Sequence, residues 1–231
     1  MILSIGHRGA CVYEPENTLR SFARALELGA DMIEFDVHVC ASGEAVVIHD
    51  AALKRTTNGL GYVKDKTLEE LKTLDAGKGE KIPVLEEVFD LVNKRAGLNI
   101  ELKSENAPVK VCSVIREYIT EKGWSYKNIL VSSFLKGILK EVRSIDACIR
   151  IGVLTRSLNQ KVLSAAHELE AYSINPIYTQ ITKKIVKKYH DEGFKLYAWT
   201  VDEEKGIRKL RDAGVDGIFS GAPELINSEN G

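Results

Sequence analysis

The chain has 231 residues, 44% of them hydrophobic, with 32 basic against 33 acidic side chains and a formal net charge of −1. That length and apolar fraction suffice for one substantial core, the size of a single α/β barrel or of two small domains. The charge balance excludes the global positive field that nucleic acid or an anionic membrane would need, while a local basic pocket stays open. The four cysteines (Cys11, Cys40, Cys112, Cys148) form no CxxC pair and no dense cluster. They read as reduced, mostly buried small hydrophobes of a cytoplasmic protein, not as a disulfide framework or zinc site. Met1 leads straight into an apolar run, with no basic n-region and no stretch long enough to span a bilayer, so no stable membrane insertion is expected.

Short apolar runs alternate with amphipathic stretches along the chain, a pattern that predicts parallel strands joined by crossover helices. Strands are expected at 2–5, 32–37, 45–48, 98–102, 129–133, 150–154, 171–175, 195–200 and 217–220. The gap before 45–48 is too short for a parallel crossover and carries Ser42-Gly43, so this run should return antiparallel as a hairpin strand. The remaining runs make a TIM (β/α)8 barrel, in one domain over 1–231 with a small insertion and connecting helix at 51–97. Within that insertion Thr56-Thr57-Asn58-Gly59 reads as a turn, and 85–93 reads as an amphipathic helix.

The polar residues gather where the apolar runs stop. His7-Arg8-Gly9 follows the first run, and Glu34 and Asp36 lie two apart on one face of the second. Two carboxylates on one face repel unless a cation or proton lies between them, and a divalent metal is the simplest resolution. A two-residue hairpin loop at Ser42-Gly43 pairs positions whose numbers sum to about 85, which sets Asp36 opposite His49. In Leu98-Asn99-Ile100-Glu101-Leu102-Lys103 polar and apolar residues alternate, so Glu101 and Lys103 should look into the cavity that Glu34 and Asp36 face. Oxygen ligands of this kind suit Mg2+ or Ca2+, and a phosphate substrate would account for Arg8 and Lys103. Simple neutralisation of the carboxylates is the competing role for those two cations, and phosphate contact is the favoured one. Pro15-Glu16-Asn17-Thr18 has the form of a helix N-terminus. His38 shares the face of Glu34 and Asp36 but lies past the apolar run, and with His167 and His190 it is read as a surface or packing residue.

His7-Arg8-Gly9, Pro15-Glu16-Asn17-Thr18, Glu34-x-Asp36, His49-Asp50, Glu101-x-Lys103 and Ala198-Trp199-Thr200 stand in the order seen in the glycerophosphodiester phosphodiesterases, which the chain resembles over nearly its whole length. That family's barrels are of the phosphatidylinositol-phosphodiesterase-like TIM type. The resemblance implies one divalent cation on Glu34, Asp36 and Glu101, with His7 and His49 as the acid/base pair. It also implies that Arg8 and Lys103 hold the phosphate of a small glycerophosphodiester and that Trp199 lies against the glycerol. The implied reaction is metal-dependent hydrolysis to glycerol 3-phosphate and an alcohol. Two other readings are a lysophospholipase D acting on acylated diesters and a barrel that binds glycerophosphoryl ligands without turnover. Ser220-Gly221-Ala222-Pro223 departs from the acidic or amide residue that many relatives carry after the last strand. The sequence leaves open the oligomeric state, which histidine is the acid, and whether the nucleophile is water or the glycerol 2-hydroxyl.

Overall fold

A computed structural model describes residues 2–227; Met1 and the last four residues, including the expected limits at 1 and 231, lie outside them. The described strands are β1 (Leu3–Gly6), β2 (Met32–Val39), β3 (Ala45–Val47), β4 (Gly97–Leu102), β5 (Ile129–Ser133), β6 (Arg150–Thr155), β7 (Ser173–Pro176), β8 (Lys195–Ala198) and β9 (Gly217–Ser220). The described helices are α1 (Leu19–Glu27), α2 (Leu68–Thr73), α3 (Leu85–Val92), α4 (Ala107–Lys122), α5 (Lys136–Ile145), α6 (Gln160–Glu168), α7 (Lys183–Asp191), α8 (Glu204–Ala213) and α9 (Glu224–Asn227). The sheet runs β1-β9-β8-β7-β6-β5-β4-β2-β3 and closes through a second parallel pairing of β1 with β2. Eight parallel strands therefore form a TIM barrel, and β3 pairs antiparallel with β2 outside it. Among the described residues no helix is long and apolar enough to cross a membrane.

Period-two alternation divides each strand between two environments. Ile33, Phe35 and Val37 of β2 and Leu98, Ile100 and Leu102 of β4 belong to the large core between sheet and helices. Ile5, Leu130, Tyr197 and Phe219 form a separate cluster contributed by β1, β5, β8 and β9, which fills the barrel interior. Glu34, Asp36, Asn99 and Glu101 are buried on the inward face of β2 and β4, where apolar residues give way to polar ones toward the strand ends. The helices are held at their entries by side-chain caps: Thr18 on α1, Thr67 on α2, Asn159 on α6 and Thr182 on α7 each accept from a backbone N–H of the first turn.

The hairpin differs from expectation in register. Val37 pairs with Val47 and Val39 with Ala45, so Asp36 meets Ile48, whose N–H donates to the Asp36 carbonyl at 3.0 Å. His49 lies one residue beyond. The cause is loop length. Cys40 N–H donates to Glu44 and Gly43 N–H to Cys40, leaving Ala41, Ser42 and Gly43 in the loop with Gly43 at φ +98°, the left-handed position a three-residue hairpin requires. Strand β2 also runs on through His38, which is buried. Of the cysteines, Cys40 and Cys112 are buried, Cys11 is partly so and Cys148 is exposed, which corrects the expectation for Cys148; it follows Asp146, where α5 has ended and the chain turns into β6.

After β3 the chain builds a second small core from Val46, Ile48, Leu53, Val63, Leu71 and Ile82. Val46 faces this cluster while Ala45 and Val47 face the main core, so β3 is shared between the two. Helix α3 returns to the barrel, and its Phe89 stacks on Tyr118 of α4 at 4.5 Å and meets Trp124 edge-on at 4.9 Å. Because Phe89 is fully buried, Phe89→Ala should destabilise the fold by about 3–5 kcal/mol. Urea titration would show this as a lower midpoint at unchanged slope, and a shift under about 1 kcal/mol would mean that the site collapses around the missing ring.

Candidate active site

The β1–α1 turn is the first part of the site. Arg8 at φ +52° and Gly9 at φ +85° reverse the chain directly after β1. A Cβ on Gly9 would lie 2.4 Å from Ser21 Oγ, so only glycine lets this turn press against α1. The turn is pinned from both neighbouring strands: His7 N–H donates to the Ser220 carbonyl at 2.9 Å, and Arg8 N–H donates to Glu34 Oε2 at 2.8 Å. His7 Nε2 is then 4.0 Å from the same carboxylate oxygen.

The β2–β4 register supplies the second part. Glu34 lies beside Asn99 and Asp36 beside Glu101, which gathers oxygens of Glu34, Asp36 and Glu101 within 4.8 Å of one another. Asn17 holds Asp36 at two points, donating from Nδ2 to Oδ2 at 2.9 Å and accepting the Asp36 N–H on Oδ1 at 3.2 Å. Lys103 Nζ donates to Glu101 at 2.8 Å and lies 3.4 Å from Asp36, while Arg8 Nε is 3.5 Å from the other Asp36 oxygen. Burial pushes Asp36 up, but Lys103 and Arg8 outweigh it and hold the carboxylate below its ordinary value. Glu34 goes the other way, raised by burial and by Asp36 and Glu101. Glu101 is raised to about 7 by burial and by Asp36. Burial, with the adjacent Arg8 charge, brings His7 down to about 4.

His49 reaches the site from beyond β3, fixed by a chain of ion pairs. Its Nδ1 is 2.5 Å from Asp50 Oδ1, Arg55 donates to Asp50 Oδ2 at 2.6 Å and to both Glu16 oxygens at 2.8 Å, and Arg8 donates to Glu16 at 2.8 Å. Hydrogen bonds from Arg55 and His49 hold the Asp50 carboxyl far below the usual range. His38 Nε2 is 3.1 Å from the His49 carbonyl, so of the two expected roles, surface or packing, this buried histidine takes packing and braces the loop. His167 and His190 pair with Glu192 and Asp216, on helices away from these groups.

His7, Arg8, Glu34, His49, Glu101, Lys103 and Trp199 all line one cavity of about 390 Å³, and Asp36 lies buried beneath it. Every residue singled out for chemistry in the sequence is therefore at or directly behind one opening. The cavity's other wall is Phe134, Leu154, Arg156, Thr200 and Phe219, and Trp199 Nε1 donates to the Asn175 carbonyl at 2.7 Å. The turn after β9 is occupied internally, since Ser220 Oγ and Gly221 N–H both donate to Asp202 Oδ1 at 3.0 and 2.7 Å. Glu16, Asn17, Asp50, Arg55, Asn99 and Arg156 were not anticipated as site residues. The capping form of Pro15–Thr18 hid Glu16 and Asn17, whereas Asn17 and Thr18 in fact do both jobs, holding Asp36 and capping α1.

A model of the glycerophosphoryl diester phosphodiesterase family matches residues 7–225. A glycerophosphodiester phosphodiesterase from Caldanaerobacter subterraneus is 42% identical over 97% of this chain and 96% of its own. One from Bacillus subtilis is 32% identical over 98% of this chain and 85% of its own. Among solved structures, an Oleispira antarctica phosphodiesterase in complex with the product sn-glycerol-3-phosphate superimposes with a TM-score of 0.90 at 30% identity, covering 98% of this chain and 95% of that one. With matches that run from the β1 turn to the last helix, the chain belongs to the glycerophosphoryl diester phosphodiesterase family.

Proposed function

We propose that the chain hydrolyses small glycerophosphodiesters to glycerol 3-phosphate and an alcohol, using one divalent cation, Mg2+ or Ca2+, held by Glu34, Asp36 and Glu101. The observation that carries this reading is the trio of buried carboxylates with oxygens within 4.8 Å of one another at the floor of a cavity lined by two histidines and two cations. The donor set suits a hard cation: all three groups offer oxygen, and two are pushed toward protonation by burial and by their carboxylate neighbours, a conflict that a divalent ion would reduce. Both amide atoms of Asn99, buried beside Glu34, also lack a partner among the described residues. When bound, such an ion supplies Lewis acidity at a phosphate oxygen.

The protein groups divide the remaining work. Arg8 and Lys103 stabilise charge on the phosphoryl oxygens. His7 is depressed to about 4 and so is neutral at pH 7, the form that accepts a proton from the attacking hydroxyl. His49, oriented at Nδ1 by Asp50, delivers a proton to the departing alkoxide. Trp199, fixed through Nε1, forms the surface against which the glycerol lies. The acylated-substrate reading has less support, because the Arg156 guanidinium lies 4.7 Å over the Phe134 ring and puts a charge on that aromatic part of the cavity wall. Release of glycerol 3-phosphate from glycerophosphocholine, with and without chelator, tests the reading directly; turnover that survives exhaustive metal removal would overturn the carboxylate assignment.

The metal site also has a readout without turnover. Glu34 and Glu101 are raised above the carboxylate value of 4.5, Glu101 to about 7, so the folded metal-free protein holds protons that the unfolded chain releases. Stability should be greatest below about pH 4.5, as far as these groups decide it, and should fall as pH rises to about 7. Thermal melts in chelator should show that decline, Mg2+ or Ca2+ should remove it, and Glu101→Gln should flatten it. A metal-free stability that rises across this window would contradict the assignment.

His7→Ala and His49→Ala should each lower kcat by about 10²–10⁴. Asp50→Asn should give a smaller loss in kcat with KM retained, because it removes no group from the cavity and acts by loosening the Asp50 contacts to His49 and Arg55 that orient the histidine. A loss confined to KM would make the histidine concerned a binding group. For the nucleophile, a glycerol held on Trp199 can aim its 2-hydroxyl at phosphorus, and oriented intramolecular attack reaches effective molarities of about 10⁵–10⁸ M. A 2-deoxy diester should therefore turn over far more slowly at saturation, and equal kcat for the two substrates would leave water as the nucleophile.

A further inference from the structure

Arg156 differs from the other cations of the cavity. Arg8 is matched by Glu16 and Asp36, and Lys103 by Asp36 and Glu101, so both are committed to carboxylates before any ligand arrives. Arg156 has no ion-pair partner among the described residues. Its guanidinium lies 4.7 Å over the Phe134 ring, and Phe134 meets Trp199 edge-on with centroids 5.5 Å apart. Stacking occupies the face of the guanidinium and leaves its in-plane N–H fork open, the arrangement that suits bidentate recognition of an oxyanion.

Its place in the barrel sets where that anion would be. Arg156 directly follows β6, four strands from β1 in either direction round the closed sheet, so it stands across the cavity from His7 and Arg8. Because Phe134 abuts Trp199 on the same cavity, a glycerol lying on Trp199 with its reacting phosphate at the carboxylate end would turn its other primary carbon toward the Phe134–Arg156 wall. A free hydroxyl there requires no formal charge from the protein. We propose that Arg156, backed by Phe134, is a subsite for a second phosphate on that carbon, so that the preferred substrates are diesters of a glycerol phosphorylated at both primary positions, as in the interior units of a glycerol phosphate chain. This rests on the reading of Trp199 as the glycerol surface, and its test is independent of turnover.

Calorimetry on the full chain with saturating Mg2+ would compare glycerol 3-phosphate with glycerol 1,3-bisphosphate. The wild type should bind the bisphosphate about 10- to 100-fold more tightly, the usual worth of hydrogen bonds to a charged group. Arg156→Gln should abolish the difference apart from the statistical advantage of two equivalent phosphates, and Arg156→Lys, which keeps the charge without the planar fork, should restore part of it. Equal binding of the two ligands by the wild type would overturn the proposal, as would an Arg156→Gln variant that weakens both by one common factor. Hydrolysis of glycerophosphocholine by the wild type is scored separately: its absence would sink the proposed activity while leaving the affinity ratio to decide the subsite.

Discussion

Three buried carboxylates held within 4.8 Å of one another are the constraint around which this barrel mouth is arranged. The β2–β4 register makes the arrangement unavoidable, because neighbouring parallel strands set Asp36 beside Glu101 and alternation returns Glu34 to the same face. Left alone, such a cluster would favour protonation or separation of the strands. The surrounding residues answer this unevenly. Asp36 takes Asn17, Arg8 and Lys103 and stays ionised, whereas Glu34 has a single backbone N–H donor and remains the poorly satisfied member. That imbalance is a standing attraction for a cation, and it is strongest on the side of Glu34, where Asn99 also lacks partners.

The segment after β3 acts on the site through one arginine. Its small core buries Leu53, which anchors the short helical turn Leu53–Arg55. Arg55 from that turn then bridges Asp50 and Glu16, and so couples the His49 loop to the β1–α1 turn that carries His7 and Arg8. Exposed ion pairs singly contribute little, but a bidentate guanidinium shared by two carboxylates restricts geometry as well as adding energy. The two histidines come from different strands, and this chain of pairs is what relates their positions.

The barrel and most of the site were legible in the sequence because alternation is a local property. Glu34, Asp36 and Glu101 betray themselves as charges on the face of a strand whose other residues are apolar, and the short gap before Ala45 forces an antiparallel return without any tertiary information. What escaped was set by geometry that local pattern does not carry. One additional loop residue, Ala41, shifted the hairpin register and moved His49 past Asp36, with Gly43 taking the positive φ that the three-residue loop requires. Asn17 and Glu16 were hidden because a capping sequence looks the same whether or not its side chains also reach a carboxylate across the barrel. Arg55 and Arg156 have no neighbours in sequence that mark them, and each matters through residues more than a turn away: Asp50 and Glu16 for one, Phe134 for the other.

The distribution of positive charge round the cavity separates two tasks that a single count of basic residues would merge. Arg8 and Lys103 are partly neutralised by the carboxylates they touch, so on the proposed reading their effect on a phosphate would be short-ranged and tied to an ion held by those carboxylates. They can stabilise charge that develops at the reacting phosphorus without binding every anion tightly, which is the differential that lowers a barrier. Arg156 carries a charge with no ion-pair partner among the described residues, on an aromatic support across the cavity from that centre, and in the proposed subsite it would contribute equally to ground state and transition state. A group of that kind does not speed the chemistry. In the proposed subsite it would decide which glycerol is held while the chemistry occurs, so the near wall of the barrel would set the reaction and the far wall its substrate.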